Sequence, residues 1–199
     1  MKIVCMGDSL TYGYNVPGQY GWVAILAAKT GWDIVNCGVC GETTGDMRRR
    51  FAQDVLTAKP DMVILMGGAN DILLDVPSQV TKNNRLAMID SARTAHIRVA
   101  LGATVLTTAE SCAFGWQQPG DVERHNSNIR ELRQWILEKA GEYKLPCLDF
   151  YEALRQACTT ASGPMYDDGA HPSIAGYAVL AREALAVLTR EGLSDDERH

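Results

Sequence analysis

Residues Met62-Val63-Ile64-Leu65-Met66 form an unbroken apolar run, preceded closely by Pro60 and stopped by Gly67-Gly68. A strand with one face in water alternates apolar and polar side chains. A run that is apolar at every position needs cover on both faces, as a central strand of a parallel sheet has. Parallel neighbours in turn require long crossovers, which are usually helices. The rest of the chain must therefore read as strands alternating with helical segments, and it does. Strands are expected at 2–6, 33–37, 97–106 and 145–150, with Gly102 dividing or bulging the fourth. Helices are expected at 19–30, closed by Gly31; from Asp46 as cap, carrying Met47, Phe51, Val55 and Leu56; at 84–95, after a polar stretch at 75–81; at 122–143; and at 151–157. A last helix begins at or just before Ser173, with Pro172 suited to its first turn. His96 is placed at a helix exit, where histidine tolerates a positive φ. The pattern predicts an α/β protein, a three-layer α/β/α sandwich around a five-stranded parallel sheet. Residues 1–193 are expected to form one domain and 194–199 a polar C-terminal tail that frays.

Charge and cysteine content narrow the function. At 199 residues with a net charge of -5, the chain is long enough for one core and offers no electrostatic reason to bind nucleic acid or an anionic membrane. Small molecules are the expected partners. The apolar stretch near the start is too short for a signal peptide and no run is long enough to span a bilayer, so membrane insertion is not expected and the expected location is cytoplasmic. Composition does not speak to the oligomeric state. Of the six cysteines, Cys5, Cys147 and Cys158 are read as reduced core or near-core residues. Cys37 and Cys40 make a C-x-x-C pair, but no second pair and no histidine at a zinc-finger spacing accompany it, so no metal is expected.

The chemistry-bearing residues lie in loops at one end of the sheet. Ser9 follows the first strand in Gly7-Asp8-Ser9-Leu10. The loop from Gly38 to Gly45 follows the second strand, and Gly68-Ala69-Asn70-Asp71 the third. Asp168-Gly169-Ala170-His171-Pro172 precedes the last helix. A serine hydroxyl is a weak nucleophile that needs a base, itself held in one tautomer by a third group. His171 and Asp168, three residues apart, suit those roles. The backbone N–H groups of Ser9 and Gly41 and the side-chain amide of Asn70 could receive an oxyanion. Simpler readings stand beside these. Asp8 and Ser9 could merely cap a turn and helix, and Asp71 is expected to bond loop N–H groups, with Asp8 in a similar structural part. Arg48, Arg49 and Arg50 fan round a helix as a solvated face. His125, on the polar side of the long helix, and His199, in the tail, are read as bystanders. Phe114 and Trp116, in the loop at 110–121, either line an acyl pocket or pin that loop to the core.

In these blocks the chain resembles the SGNH hydrolases, the GDSL esterase and lipase family. Gly7-Asp8-Ser9-Leu10 matches the family's first block, Asn36-Cys37-Gly38-Val39-Cys40-Gly41 the second, Gly68-Ala69-Asn70-Asp71 the third and Asp168-Gly169-Ala170-His171-Pro172 the last. The resemblance implies a flavodoxin-like fold with Ser9 as nucleophile, His171 as base, Asp168 as its partner, and Ser9, Gly41 and Asn70 as the oxyanion hole. It implies no cofactor and no metal. Cys37, Cys40 and Glu42 depart from the family pattern, and an acid at Glu42 would weaken the oxyanion hole unless it points away. The expected activity is serine-dependent carboxylic ester hydrolysis through an acyl-enzyme, on short-acyl esters or other small acyl substrates. Thioesterase, lysophospholipase and sugar O-acetyl esterase activities share that mechanism. The reading from another class is a non-hydrolytic binding or redox module centred on Cys37 and Cys40, which would need low thiol pKa values.

Overall fold

Five strands, β1 (Lys2–Gly7), β2 (Asp33–Gly38), β3 (Met62–Met66), β4 (Arg98–Gly102) and β5 (Cys147–Leu148), lie in the order β2-β1-β3-β4-β5, and every neighbouring pair is parallel. This is the flavodoxin-like order, in which the chain reverses its winding between β1 and β3. The structure, a computed structural model, describes residues 1–190. The last three residues of the expected domain and the whole expected tail, including His199, lie outside the described residues. The helices are α1 (Ser9–Tyr12), α2 (Trp22–Thr30), α3 (Thr44–Phe51), α4 (Ala69–Leu73), α5 (Ser78–Thr94), α6 (Val122–Tyr143), α7 (Phe150–Thr160) and α8 (Ile174–Arg190).

Strand parity separates two cores. Ile3, Cys5, Met62, Ile64, Met66 and Ala100 pack under α2, α7 and α8 with Trp22, Leu26, Leu154, Tyr177 and Leu180. Their alternates, Val4, Met6, Val63, Leu65, Val99 and Leu101, pack under α3, α5 and α6 with Met47, Phe51, Ile89, Ile129 and Ile136. Because successive side chains on a strand point to opposite faces, the all-apolar run of β3 supplies both layers at once. That answers the expectation of a sandwich.

Several element boundaries differ from the sequence reading. The strand expected at 97–106 ends at Gly102, where both neighbours stop, β3 at Met66 and β5 at Leu148. β5 is itself shorter than 145–150: Pro146 has no N–H, and Asp149 leaves the sheet to cap α7, accepting from Glu152 N. α7 extends to Thr160, three residues past the expected end. The helix expected from residue 84 begins at Ser78, directly after Pro77, whose φ of -54° suits the helix entry. Asp46 is not the cap of α3. Thr43 is, and Asp46 completes a capping box with it, the side chain of each bonding the other's backbone N–H. Residues 18–20 form a separate 3-10 turn ahead of α2. Pro172 precedes the start of α8 and pairs with Tyr166 in an isolated bridge, while Ser173 Oγ accepts from Gly176 N. Gly31 and His96 hold the positive φ expected of them. Cys5 is buried and Cys147 partly so, but Cys158 is exposed rather than near the core, and all six cysteines are free.

Candidate active site

The end of β2 lies so close to α1 that a side chain would not fit at Gly38, where a Cβ would stand 2.2 Å from the backbone nitrogen of Tyr12. This contact lets the one-turn helix α1 sit on the end of the sheet. Asp8 is its N-cap, bonding Leu10 N, and Ser9 is its first residue. The hydroxyl of Ser9 is thereby delivered to the carboxyl end of β1. Asn70, on α4 directly beyond β3, stands on the other side of the β1/β3 crevice where ligands bind in this topology.

Across that crevice the imidazole of His171 reaches Ser9. Nε2 lies 3.0 Å from Ser9 Oγ, and Nδ1 lies 2.8 Å from Oδ2 of Asp168. An ionised carboxylate only accepts, so Nδ1 carries the hydrogen and Nε2 presents its lone pair to the serine hydroxyl. Asp168 is buried, and burial alone would raise its carboxyl. The backbone N–H groups of His171 and Ala170, at 2.7 and 3.0 Å from Oδ1, together with the imidazole, outweigh burial and hold it below the ordinary carboxylate range. Gly169 between them has a φ of +76°, and its bare Cα lies against Ser111, where a Cβ would come within 2.2 Å of the backbone nitrogen. The turn that brings Asp168 back to His171 therefore requires glycine there.

These groups open on a cavity of about 90 Å³, lined by Ser9, Leu10, Tyr14, Cys40, Gly41, Ala69, Asn70, Leu73, Val105, Thr107, Trp116, Ala170 and His171. Ser9, Gly41, Asn70 and His171, named from the sequence, are all on its wall. Asp168 stands behind the imidazole. Asn70 Nδ2 donates to the backbone oxygen of Glu42 at 2.8 Å, which ties α4 to the Gly41 loop and leaves the second N–H of the amide for the cavity. The Glu42 carboxylate, the acid set against that loop, is held by Nε of Arg50 at 2.6 Å. Its charge is thus turned toward Arg50, which it shares with Asp54, and away from the oxyanion candidates. A larger cleft of about 270 Å³ lies against α5 and α6, lined by residues such as Pro77, Ser78, Lys82 and Leu132, and has no histidine on its wall to serve a hydroxyl as base.

Three expectations are corrected and two are met. Phe114 is 59% exposed and is absent from the cavity wall, whereas Trp116 is on it. The two share a loop, but only Trp116 turns inward. His125 is 2% exposed, not on a polar face: the loop before α6 folds over it, and Nδ1 lies 2.7 Å from Oε1 of Gln117. Arg50 is no solvated residue, since it donates to the carbonyl oxygens of Gly7 and Cys37 as well as to Glu42 and Asp54. Asp71 is structural as expected, accepting from Thr44 N and from the hydroxyls of Thr44 and Thr81. Asp8 is likewise a cap. Sequence reasoning missed Tyr14, whose ring lies 4.5 Å from that of His171. Nothing in its spacing marks it. Burial pushes the thiols of Cys37 and Cys40 up, the opposite of what a redox pair needs. No helix among the described residues is long and apolar enough to cross a membrane.

The model of the GDSL-like lipase/acylhydrolase family matches residues 5–179 of the chain. Among solved structures, a member of the lipolytic protein G-D-S-L family from Veillonella parvula DSM 2008 superposes with a TM-score of 0.83 at 29% identity, over 96% of this chain and 99% of that one. The chain is 26% identical over 206 residues to the acetylxylan esterase of Geobacillus stearothermophilus, covering 92% of each. It is also 42% identical over 89 residues to the uncharacterized lipoprotein YqeF of Bacillus subtilis (strain 168), a match that takes in 40% of this chain and only 37% of that protein.

Proposed function

The chain belongs to the GDSL-like lipase/acylhydrolase family, and from that premise we propose that it is a serine-dependent carboxylic ester hydrolase acting on short-acyl esters. The observation that carries the reading is the line from Ser9 Oγ through the two ring nitrogens of His171 to Asp168, 3.0 and 2.8 Å in its two steps, on the wall of a cavity shared with Gly41 and Asn70. In this reading Ser9 Oγ attacks the ester carbonyl while Nε2 of His171 takes its proton. Asp168 fixes the imidazole and stabilises the imidazolium. The oxyanion of the tetrahedral intermediate is met by the N–H groups of Ser9 and Gly41 and the free N–H of Asn70. Collapse expels the alcohol with the proton from Nε2. Water, deprotonated at the same nitrogen, then releases the acid.

Cavity size favours small acyl groups over the thioesterase or lysophospholipase variants of the same mechanism. Its volume is about 90 Å³, a third of the roughly 270 Å³ of the cleft on α5 and α6. Its apolar walls, Leu10, Leu73 and Val105, suit an acetyl or propionyl methyl. The relative named acetylxylan esterase supports the same class. The test is hydrolysis of p-nitrophenyl esters from acetate to laurate, by the wild type and by Ser9→Ala. Turnover should fall steeply with chain length and vanish in the variant. Comparable rates on laurate would remove the short-acyl assignment, and a fully active Ser9→Ala would remove the mechanism. A cytoplasmic setting goes with this reading and is tested by fractionation, with YqeF, named a lipoprotein, as the reason to assay the envelope too.

A further inference from the structure

One hydrogen bond on the candidate triad comes from outside it. Oδ1 of Asp168 is held by the two backbone N–H groups of its own turn, which fixes the plane of the carboxylate. Oδ2, the oxygen that faces His171, accepts from His171 Nδ1 and, at 3.0 Å, from Nε1 of Trp116 on a loop more than fifty residues away. The indole is firmly placed. Its ring meets that of His171 edge-on at 5.0 Å and that of Tyr14 at 5.9 Å. Its backbone nitrogen donates to Ser111 O. The adjoining Gln117 is buried, with its amide on the hydroxyls of Thr107 and Ser111 and its oxygen on His125. The loop is also joined to the Asp168 turn through its backbone, Thr108 N donating to Gly169 O at 2.7 Å.

We propose that Trp116 is a positioning residue for hydrolysis, acting through Asp168: its indole N–H fixes the oxygen that bonds His171 and moderates the pull of that oxygen on the imidazole. The inference rests on the reading of Ser9, His171 and Asp168 as nucleophile, base and partner. A carboxylate oxygen bonded by one imidazole alone concentrates its charge there and favours the imidazolium, which cannot accept the serine proton. A second, charge-assisted hydrogen bond draws charge away. No Lys, Arg, Asp or Glu lines the cavity wall. The titratable groups about the imidazole are Asp168 and Asp167 on its own turn, Asp8 next to Ser9, Cys40 across the cavity, Tyr14 against the ring and Tyr177 of α8, whose hydroxyl bonds Tyr14 O. Of these only Asp168 bonds the imidazole, so the indole acts on the group with the strongest hold.

The experiment measures kcat and KM for p-nitrophenyl acetate across about pH 5 to 9 in the wild type, Ser9→Ala, Trp116→Phe and Trp116→Leu. Circular dichroism checks the fold of each, and titration with diethyl p-nitrophenyl phosphate counts reactive serines. Loss of activity in Ser9→Ala upholds the underlying reading; retained activity there overturns that reading and the inference with it. Both Trp116 variants lack the N–H. Each should lose about tenfold in kcat, with KM moved less than about threefold in Trp116→Phe, and each should shift the acid limb of kcat/KM upward by about half to one pH unit. A limb that stays in place in both variants, whatever happens to kcat, overturns the proposal; so does a limb that moves only in Trp116→Leu, because loss of the ring rehydrates the imidazole and raises the limb without any part for the N–H.

Discussion

The amide of Asn70 has two N–H groups with two destinations. One holds the carbonyl of Glu42 and so decides which way the amide faces; the other is left for the cavity. Asn70→Ala removes both the donor and the tie to the Gly41 loop. kcat on p-nitrophenyl acetate should fall by about 10² to 10³, the cost of one lost oxyanion donor, with the larger effect on kcat than on KM. A loss under about tenfold would take Asn70 out of the oxyanion hole. The candidate blocks were legible in the sequence only together: three lie in small-residue loops after strands and one before the last helix, while Asp8-Ser9 alone reads as cap chemistry. Tyr14 was not, since an aromatic in a glycine-bounded loop carries no spacing that says where its ring goes. Phe114 and Trp116 could not be told apart for a related reason: only Gly115 lies between them, and the path of the loop sends only Trp116 to Asp168. His125 was misplaced because its neighbours Glu123 and Arg124 are charged, whereas its burial comes from Gln117, which belongs to a different segment.

At the scale of elements, α3 joins strand ends to the loop that carries Gly41. One guanidinium, that of Arg50, bonds Gly7 O at the end of β1, Cys37 O near the end of β2 and the carboxylate of Glu42. Because Glu42 O also receives Asn70, this single side chain is the joint between three of the loops around the cavity. Arg50→Met keeps the length and apolar stem but releases the joint. A displacement of about 1 Å in catalytic geometry can cost 10²-fold, so kcat should drop by about ten- to a hundredfold in a protein that still folds. Activity equal to wild type, with an unchanged circular dichroism spectrum, would show that the loop holds itself. Run from the sequence, three adjacent arginines on a helix look solvated. Besides Asp54 one turn on, which helical spacing does report, the partners of the third are two carbonyl oxygens and a loop acid, which no periodicity reports. The same limit explains the boundaries of β4 and β5. Strand residues were legible from apolar runs, but where pairing stops depends on the partner strand, and β5 offers two residues.

Across the whole molecule, the doubly covered sheet was legible from β3 alone, while the strand order was carried only by the likeness to a family, since composition and periodicity do not say which strand lies beside which. Gathering the functional loops at one sheet end has an energetic consequence. Asp8, the cap that seats Ser9, is fully buried, and its Oδ2 has no hydrogen-bond partner. Burial is the main cause that lifts its carboxyl from 3.8 to about 7; the Leu10 N–H opposes this, nearby Asp71 adds to it, and buried Arg85 opposes it again. A carboxyl raised in the folded state binds its proton more tightly there than in the unfolded chain. Its contribution is therefore fully present below pH 3.8 and is lost as pH rises through about 7. Asparagine at the same position keeps a capping oxygen and cannot ionise. Unfolding free energy from urea titrations should thus decline between about pH 5 and 8 by a few kcal/mol more in the wild type than in Asp8→Asn, and the two curves should run parallel once Asp8 is fully ionised. Parallel curves throughout that range would mean that Asp8 is ionised at little cost, with Arg85 close enough in energy to serve as its counter-ion.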